Sequence, residues 1–246
     1  MNDSSGKIAT LIMAAGKGTR MKSDLPKVLH KLRGRAMAHY VVDTARELKA
    51  DPIVLIIGHK KEQVIKEFTG IGIKFVIQEP QAGTGHAIRC AMPQLEDFDG
   101  SVMILSGDVP LIKTRTLKSL WQHHRDEGAA ATVLTATMDE PFGYGRIIRQ
   151  NGGHLSGIVE ERDASDEIRK INEINSGIYV FEAEHLRRVL PLLSDDNDQK
   201  EYYLTDAVRL LSDSGEIIAA FEGNFRETLG INTVAELQAA EKELSG

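Results

Sequence analysis

Residues 11–27, LIMAAGKGTRMKSDLPK, decide how the rest of the chain is interpreted. The apolar run at 8–13 has the composition of a buried strand, and small residues with two glycines follow it at once. Between Gly16 and Lys27 there are four basic residues and one acidic residue, a local charge of +3 in a chain of net charge −6. Glycines let backbone N–H groups approach a phosphate, and cations neutralise it. The stretch therefore predicts a phosphate-binding loop after a strand.

The glycine spacing excludes two common phosphate-binding motifs. Met21 stands where the dinucleotide fingerprint would have its third glycine. No Gly-Lys-Ser/Thr follows at the spacing of a P-loop either. On spacing alone, a solvated tight turn with surface lysines is as good an interpretation as a ligand loop.

Composition and charge narrow the class of protein. The chain has 246 residues, 41% hydrophobic and 27% charged, enough for one large α/β domain with a core. Its acidic balance argues against nucleic-acid binding, and a single cysteine, Cys90, fits a reducing compartment. No stretch approaches the roughly 18 apolar residues of a membrane span, and the N-terminus has no apolar signal region. We expect a cytoplasmic protein that binds neither nucleic acid nor membrane.

Strand and helix patterns alternate in the first half of the chain. Strands are predicted over 8–13, 53–57, 73–77, 102–105 and 130–137. Helices are predicted over 36–49, around 64–68, over 87–95 with Thr84 as N-cap, and after an N-cap at Thr114. This β-α-β-α-β order predicts a parallel sheet with right-handed crossovers.

Residues 139–181 differ, because glycines and charges alternate there with short strand-like runs. The runs lie at 143–148, 155–160 and 174–181, with an acidic loop at 160–167, and they predict a smaller antiparallel lobe. A helix at 185–193 broken at Pro191, a helix at 202–213, a strand at 217–221 and a capping box at Thr233 complete the pattern. We predict one domain over 1–246: a disordered lead-in (1–7), a nucleotide-binding core (8–138), the lobe (139–181) and a closing segment (182–246).

The string AAGKGTRM followed by PK resembles the signature of the sugar-phosphate nucleotidyltransferases, LAAGxGTRM…PK. Seven further blocks resemble one branch, the uridylyltransferase domain of the bifunctional N-acetylglucosamine-1-phosphate uridylyltransferase/glucosamine-1-phosphate acetyltransferase family. They are QEPQAGTGHA, LSGDVPL, GYGRI, GIVEERDA, EINSGIY, NDQKEYYLTD and GIN, in the family's order. The resemblance implies the nucleotide-diphospho-sugar transferase fold: α/β, Rossmann-like, with a mostly parallel central sheet flanked by helices and a smaller antiparallel sugar-binding lobe.

The resemblance also implies an activity, the transfer of UMP from UTP to N-acetylglucosamine 1-phosphate. The products are UDP-N-acetylglucosamine and pyrophosphate, and the implied cofactor is Mg²⁺. The attacking phosphate is ionised at neutral pH, so the work of such a site is positioning and charge neutralisation. The hexapeptide β-helix of the bifunctional family has no counterpart up to Gly246. We therefore expect no acetyl transfer, and a monomer or weak dimer.

The family motifs assign roles to individual positions. Arg20 corresponds to the residue on the β- and γ-phosphates, and Lys27 to the residue on the α-phosphate. Asp108, predicted at the carboxyl end of a strand that faces the ligand crevice, and Asn232 correspond to the Mg²⁺ ligands. The implied substrate-binding residues are Met13, Ala14, Ala15, Gly16, Lys27, Ser106, Gly107 and Asn232, with Gln78, Gly83 and Thr84 for uracil and Gly145, Glu160 and Asn175 for the sugar.

Two positions depart from the family pattern. Ser106 stands where the bacterial enzymes usually have Tyr or a similar residue, and Lys200 replaces a small residue beside the implied sugar pocket. Two alternatives therefore stay open: the same reaction on another sugar 1-phosphate or nucleotide, and a non-catalytic sugar-nucleotide sensor. The intact metal-ligand pair, Asp108 and Asn232, favours an enzyme over a sensor.

Overall fold

The structure is a computed structural model that describes residues 6–16, 18–21, 23–150 and 153–244. In these ranges the strands are β1 (Ile8–Ala14), β2 (Lys31–Leu32), β3 (Arg35–Ala36), β4 (Ile53–Ile57), β5 (Lys74–Ile77), β6 (Ser101–Ser106), β7 (Ala131–Thr137), β8 (Arg146–Arg149), β9 (Leu155–Val159), β10 (Glu173–Glu182) and β11 (Ile218–Glu222). The helices there are α1 (Met37–Glu47), α2 (Lys61–Phe68), α3 (Thr84–Ala91), α4 (Thr114–Asp126), α5 (Asp166–Arg169), α6 (Ala183–Val189), α7 (Leu204–Asp213), α8 (Phe225–Thr228) and α9 (Val234–Glu243).

Seven strands form the path of the central sheet, in the order β11-β7-β10-β6-β1-β4-β5. The pairs β1–β4, β1–β6, β4–β5 and β7–β11 are parallel, as the β-α-β-α-β pattern predicts. The short strands β8 and β9 form an antiparallel extension beside β10. The predicted fold, a mostly parallel sheet with a smaller antiparallel part, is confirmed.

The central strands β1, β4 and β6 are mostly apolar and buried because both faces of the sheet are covered there. Alternate residues of β1 enter different cores: Ala9 and Leu11 pack on one face, Ile8 and Ile12 on the other. Helices α3, α6 and α7 cover the first face, and α1, α2 and α4 cover the second. Because β1, β4, β5 and β6 run parallel, their carboxyl ends lie at one common edge of the sheet, where a ligand crevice is expected.

Strand β10 corrects the predicted division into core and lobe. It runs antiparallel between β6 and β7, so the central sheet contains a strand from the 139–181 range. Its pairing with β7 shifts in register between Asn175 and Tyr179, and only its first part pairs with β8. The apolar pattern identified the strand, but strand pairing is decided by residues far away in sequence.

Two predicted helix caps are wrong, and one is confirmed. Thr84 is the first residue of α3, and its hydroxyl accepts a hydrogen bond from the Leu204 N–H at 3.0 Å. Thr114 likewise lies inside α4 and donates to Glu47 at 2.5 Å. In both cases the hydroxyl group forms its hydrogen bond with a residue far away in the sequence and does not cap its own helix. Thr233 forms the predicted capping box with Glu236 at the start of α9.

The ends of the other predicted elements need smaller corrections. The acidic loop contains a turn of helix, α5, which Ser165 caps. Most of the predicted disordered lead-in lies outside the described residues. Lys7, however, accepts a hydrogen bond from the Ser101 N–H at 3.0 Å, so that part of the prediction is wrong.

Lys200 carries backbone strain that a substitution can test. Its φ of +54° is left-handed, which suits glycine, and among the described residues its side chain makes only an exposed 3.4 Å ion pair with Asp196. The conformation costs a non-glycine residue about 1–2 kcal/mol, part of which is offset by the greater entropy that glycine loses. We expect Lys200→Gly to raise the free energy of unfolding by about 0.5–1 kcal/mol, measured by urea denaturation.

The matched control is Lys74→Gly, an exposed lysine on the edge strand β5 with extended backbone. Glycine weakens a strand, so this variant should lose stability. A loss of stability in Lys200→Gly as well would show that the left-handed position carries no strain.

Candidate active site

The glycine loop follows β1 and returns to place Lys27 against its own start. A Cβ atom at Gly18, where φ is +61°, would lie 2.6 Å from the Cβ of Lys27, so only glycine allows this approach. Behind Pro26, the buried side chains of Val28 and Leu29 fix the turn that carries Lys27. The loop therefore packs closely against Lys27. Two of its other cations, Lys17 and Lys22, lie outside the described residues.

Four predicted site residues from three separate stretches of the sequence meet in one hydrogen-bonded group. Lys27 forms an ion pair with Asp108 Oδ2 and donates to Asn232 Oδ1 at 2.5 Å. Arg20 donates to the same Asn232 oxygen at 2.8 Å. The side chains of Lys27 and Asp108 are 14% and 17% exposed, so their attraction is only partly screened by water. The group joins two cations to the two predicted metal ligands.

Backbone contacts fix Asp108 at the carboxyl edge of the sheet. The adjoining Gly107 N–H donates to Met13 O at 2.9 Å, which ties the end of β6 to β1. A Cβ at Gly107 would lie 3.1 Å from Val28, a close fit that favours glycine. The Asp108 carbonyl accepts from the Ile231 N–H at 2.9 Å, so one backbone bond links the two predicted metal-ligand segments.

Asn232 is held by the start of α9. Its N–H donates to Glu236 Oε2 at 2.6 Å, and its Nδ2 donates to the Gly230 carbonyl at 2.9 Å. The preceding Ile231 is buried in a small apolar cluster with Leu111. These contacts turn the remaining amide oxygen, Oδ1, toward Arg20 and Lys27.

A cavity of about 510 Å³ opens beside this group. Ten of the predicted site residues line it: Met13, Ala14, Ala15, Gly16, Lys27, Gln78, Gly83, Thr84, Ser106 and Asp108. Its lining includes the ammonium of Lys27 and the carboxylate of Asp108, and also the amide of Gln78 and the hydroxyl of Thr84. Such an arrangement suits a ligand with a phosphate end and a hydrogen-bonding end.

Gln78 presents a fixed amide to the cavity. It is 4% exposed, and its Nε2 donates to the Gly83 carbonyl at 2.8 Å and lies 3.3 Å from His86 Nδ1. Gly83 has φ of +101°, and a Cβ there would lie 2.5 Å from the Tyr202 carbonyl oxygen. The loop is thus packed too tightly for any larger residue at position 83, and the Gln78 amide cannot easily turn over.

The predicted sugar residues form a second group beside β10, and they do not line the same cavity. The Asn175 N–H donates to the Gly145 carbonyl at 2.9 Å. The Asn175 side chain is used within the strand, since its Nδ2 donates to Tyr179 at 2.7 Å and its Oδ1 accepts from Gly177. Glu160 accepts from Thr205 at 3.1 Å. Burial raises the pKa of Glu160, more than the bond from Thr205 lowers it.

The raised pKa of Glu160 predicts a change of stability with pH. A carboxyl group with a raised folded-state pKa stabilises the fold below its unfolded pKa, and that contribution is lost as the pH rises through the folded pKa. Because glutamine mimics the protonated form, Glu160→Gln should be more stable than the parent at neutral pH, and the gain should shrink on acidification. Urea denaturation from about pH 3.5 to pH 8 measures this, because the range begins below the usual Glu pKa of about 4.3.

Glu161→Gln is a control of opposite sign on the neighbouring residue. Burial acts to raise the pKa of Glu161, but the Gly143 N–H and the Arg146 guanidinium outweigh it and the pKa is lowered. This variant should lose stability at neutral pH, with the loss fading in acid. Equal behaviour of the two variants would contradict this account of Glu160.

Glu201 and Tyr144 were missed by the sequence analysis. Glu201 lines the cavity, and Asn197 holds its backbone through both its N–H, at 3.2 Å, and its carbonyl, at 2.6 Å. Burial raises the pKa of Tyr144, and the carboxylates of Glu236 and Asp108 act in the same direction. Glu201 lies in the block NDQKEYYLTD and Tyr144 in the block GYGRI. The resemblance of these blocks to the family was the signal that could have identified both residues.

The donor atoms at Asp108 and Asn232 fit a hard divalent cation. They offer one carboxylate and one amide oxygen, which are ligands that Mg²⁺ accepts alongside phosphate oxygens. Both side chains contact the same Lys27 ammonium, so their oxygens already face one cation. The described part of the chain has no group of three or more His, Cys, Asp and Glu side chains that could bind a metal alone. The two residues thus fit an ion that arrives with phosphate ligands.

The fold and the site define a nucleotide-binding α/β protein of the nucleotidyltransferase class. The family model of the MobA-like NTP transferase domain matches residues 10–173. The chain belongs to that family.

Curated relatives match the sequence of this chain over nearly its whole length. The bifunctional protein GlmU of Geotalea uraniireducens is 48% identical over 241 residues, 97% of this chain and 53% of that protein. The bifunctional protein GlmU of Pediococcus pentosaceus is 46% identical over 234 residues, 95% of this chain and 50% of that protein. The resemblance found in the sequence blocks is confirmed, and the chain spans about half the length of these relatives.

A solved structure supports the fold. The crystal structure of UDP-glucose pyrophosphorylase complexed with UDP-glucose matches with a TM-score of 0.75 and 19% identity, over 97% of this chain and 98% of that chain. At such low identity the match shows only that the two proteins share a fold, the nucleotide-diphospho-sugar transferase fold. In the ranges that the structure describes, no helix is both long and apolar enough to cross a membrane.

Proposed function

We propose that this chain transfers UMP from UTP to N-acetylglucosamine 1-phosphate, giving UDP-N-acetylglucosamine and pyrophosphate. One observation carries the proposal: Arg20, Lys27, Asp108 and Asn232 meet in one hydrogen-bonded group beside a cavity of about 510 Å³. The choice of uridylyl group and amino sugar comes from the family that the sequence blocks resemble, and the relatives named GlmU, 46–48% identical over most of this chain, support it.

The reaction needs little acid–base chemistry. An oxygen of the sugar phosphate forms a bond to the α-phosphorus of UTP, and the bond from that phosphorus to the bridging oxygen breaks. The electron pair of the broken bond leaves with pyrophosphate. Because the nucleophile is already an anion, the protein must hold two polyanions together and neutralise the charge that they share.

Arg20 and Lys27 perform that neutralisation in our proposal. Without ligand, both donate to the uncharged amide oxygen of Asn232. Phosphate oxygens are stronger acceptors, because the hydrogen bond is then assisted by charge on both partners. We propose that Lys27 turns to the α-phosphate, and that the exposed Arg20 turns to the β- and γ-phosphates.

Asp108 and Asn232 would hold the Mg²⁺ ion. When bound, the ion neutralises phosphate charge and helps to fix the triphosphate for displacement. When Lys27 and Arg20 turn to the phosphates, Asp108 Oδ2 and Asn232 Oδ1 are freed, and these two oxygens fit such an ion. Lys27 therefore holds the two metal ligands together until the nucleotide arrives.

The two ends of the ligand are assigned to the two groups of polar residues. We propose that Gln78, Gly83 and Thr84 bind uracil, since their amide and backbone groups are fixed at the cavity wall. Residues 8–138 would then act as the nucleotide core. Gly145, Glu160 and Asn175 in 139–181 would bind the sugar, with the Glu160 carboxylate as acceptor for a hydroxyl. A cytoplasmic location and a monomer or weak dimer complete the proposal.

Pyrophosphate release measures the proposed activity directly. The purified protein is assayed with Mg²⁺ against N-acetylglucosamine 1-phosphate, glucosamine 1-phosphate and glucose 1-phosphate, each with UTP, CTP, ATP and dTTP. We expect the highest kcat/KM for UTP with N-acetylglucosamine 1-phosphate. Equal values with glucose 1-phosphate would overturn the sugar assignment, and binding of UDP-N-acetylglucosamine without any release would favour a sensor.

A further inference from the structure

The two carboxylate oxygens of Asp108 have different hydrogen-bond partners. Oδ1 accepts from the Ser106 hydroxyl at 2.5 Å, and Oδ2 pairs with the Lys27 ammonium. Ser106 is the last residue of β6, only two positions before Asp108, and it is paired across the sheet with Met13. Lys27 is the partner that the proposed function sends to a phosphate. The contact from Ser106 is therefore the one whose donor is fixed in position by strand β6.

We infer that Ser106 is a positioning residue that fixes the Asp108 carboxylate and presents Oδ2 to the divalent cation. This inference rests on the proposed function, which makes Asp108 a metal ligand. A hydrogen bond to one oxygen of a ligating carboxylate fixes its orientation, and the loss of such a partner typically weakens metal binding about 10–100-fold.

The geometry separates this role from that of a simple substrate contact. The single proton of the Ser106 hydroxyl is already directed to Asp108, so toward a ligand in the cavity the oxygen can only accept. In the proposed function Lys27 leaves Asp108 for a phosphate, and the bond from Ser106 then keeps the carboxylate from rotating. The short side chain matters, because a hydroxyl at the end of an aromatic ring would not reach a carboxylate two residues away in the same manner.

Metal affinity without turnover tests the inference. Mn²⁺ is titrated into protein saturated with UDP-N-acetylglucosamine, without pyrophosphate, and the free ion is followed by electron paramagnetic resonance. We expect Ser106→Ala to bind Mn²⁺ about tenfold more weakly, at the low end of the range for lost ligand-orienting partners. Ser106→Cys keeps the size with a weaker donor and should lose affinity in the same direction. Ser106→Thr keeps the hydroxyl and should restore it.

Ser214→Ala is the matched control, because that exposed serine donates to the Leu211 carbonyl at 2.8 Å at the end of α7. It should bind Mn²⁺ as the parent does. In turnover, Ser106→Ala should need about tenfold more Mg²⁺ for half-maximal rate while the KM values of both substrates stay unchanged.

The outcomes separate this inference from the proposed function. Parental Mn²⁺ affinity in Ser106→Ala, with a raised KM for one substrate, would overturn the positioning role and make Ser106 a substrate contact. A parent chain that releases no pyrophosphate with any tested pair would overturn the proposed function instead.

Discussion

Replacing Lys27 by alanine is expected to lower kcat by about 10²–10³, the usual effect of removing one electrostatic contact to a reacting group. Lys27 is the cation that the loop is shaped around, and it is only 14% exposed beside the proposed metal ligands. The turn that carries it is anchored by the buried Val28 and Leu29, so the fold should survive. Pyrophosphate release at saturating substrates measures the loss, and circular dichroism checks the fold.

Lys170→Ala is the matched control for this variant. Its side chain is 69% exposed and forms a local ion pair with Glu167, away from the cavity, so turnover should be unchanged. Lys27→Arg should not restore the rate, because a planar guanidinium does not replace a compact ammonium in so close a fit. An unfolded Lys27→Ala protein would show that the residue is structural.

Replacing Asp108 by alanine is the second large expected effect, again a loss of about 10²–10³ in kcat. The variant removes the only carboxylate of the proposed metal site. It keeps the backbone bond from Ile231 to the carbonyl of residue 108, which holds the strand end in place. The loss should persist at high Mg²⁺ concentration, since no nearby carboxylate among the described residues completes a metal-binding cluster.

Asp166→Ala controls for the removal of one carboxylate. That side chain is 93% exposed and pairs locally with Arg169 at 3.2 Å, so activity should not change. If Asp108→Ala kept parental turnover, or recovered it fully with added Mg²⁺, Asp108 would not be an essential ligand.

Most strands could be predicted from the sequence because their signals are local. The run at 53–57 is apolar throughout and ends at turn residues, and β4 has the same bounds. The capping box at Thr233 is equally local and was also correct. Such features need no knowledge of the rest of the chain.

Contacts between distant residues could not be predicted in this way. The Thr84 hydroxyl bonds Leu204, 120 positions away, instead of capping its own helix. The place of β10 between β6 and β7 depends on pairing, which its own residues do not reveal. The motif blocks named Arg20 and Asn232, but only the fold brings their side chains to 2.8 Å.

The fate of the α-phosphate tests the central claim most directly. The protein is incubated with Mg²⁺, N-acetylglucosamine 1-phosphate and UTP that carries a radioactive α-phosphate, and the products are separated. We predict that the label appears in UDP-N-acetylglucosamine in step with pyrophosphate release, and only when a divalent cation is present. Label that stays in UTP, or that appears as free UMP, would contradict the account.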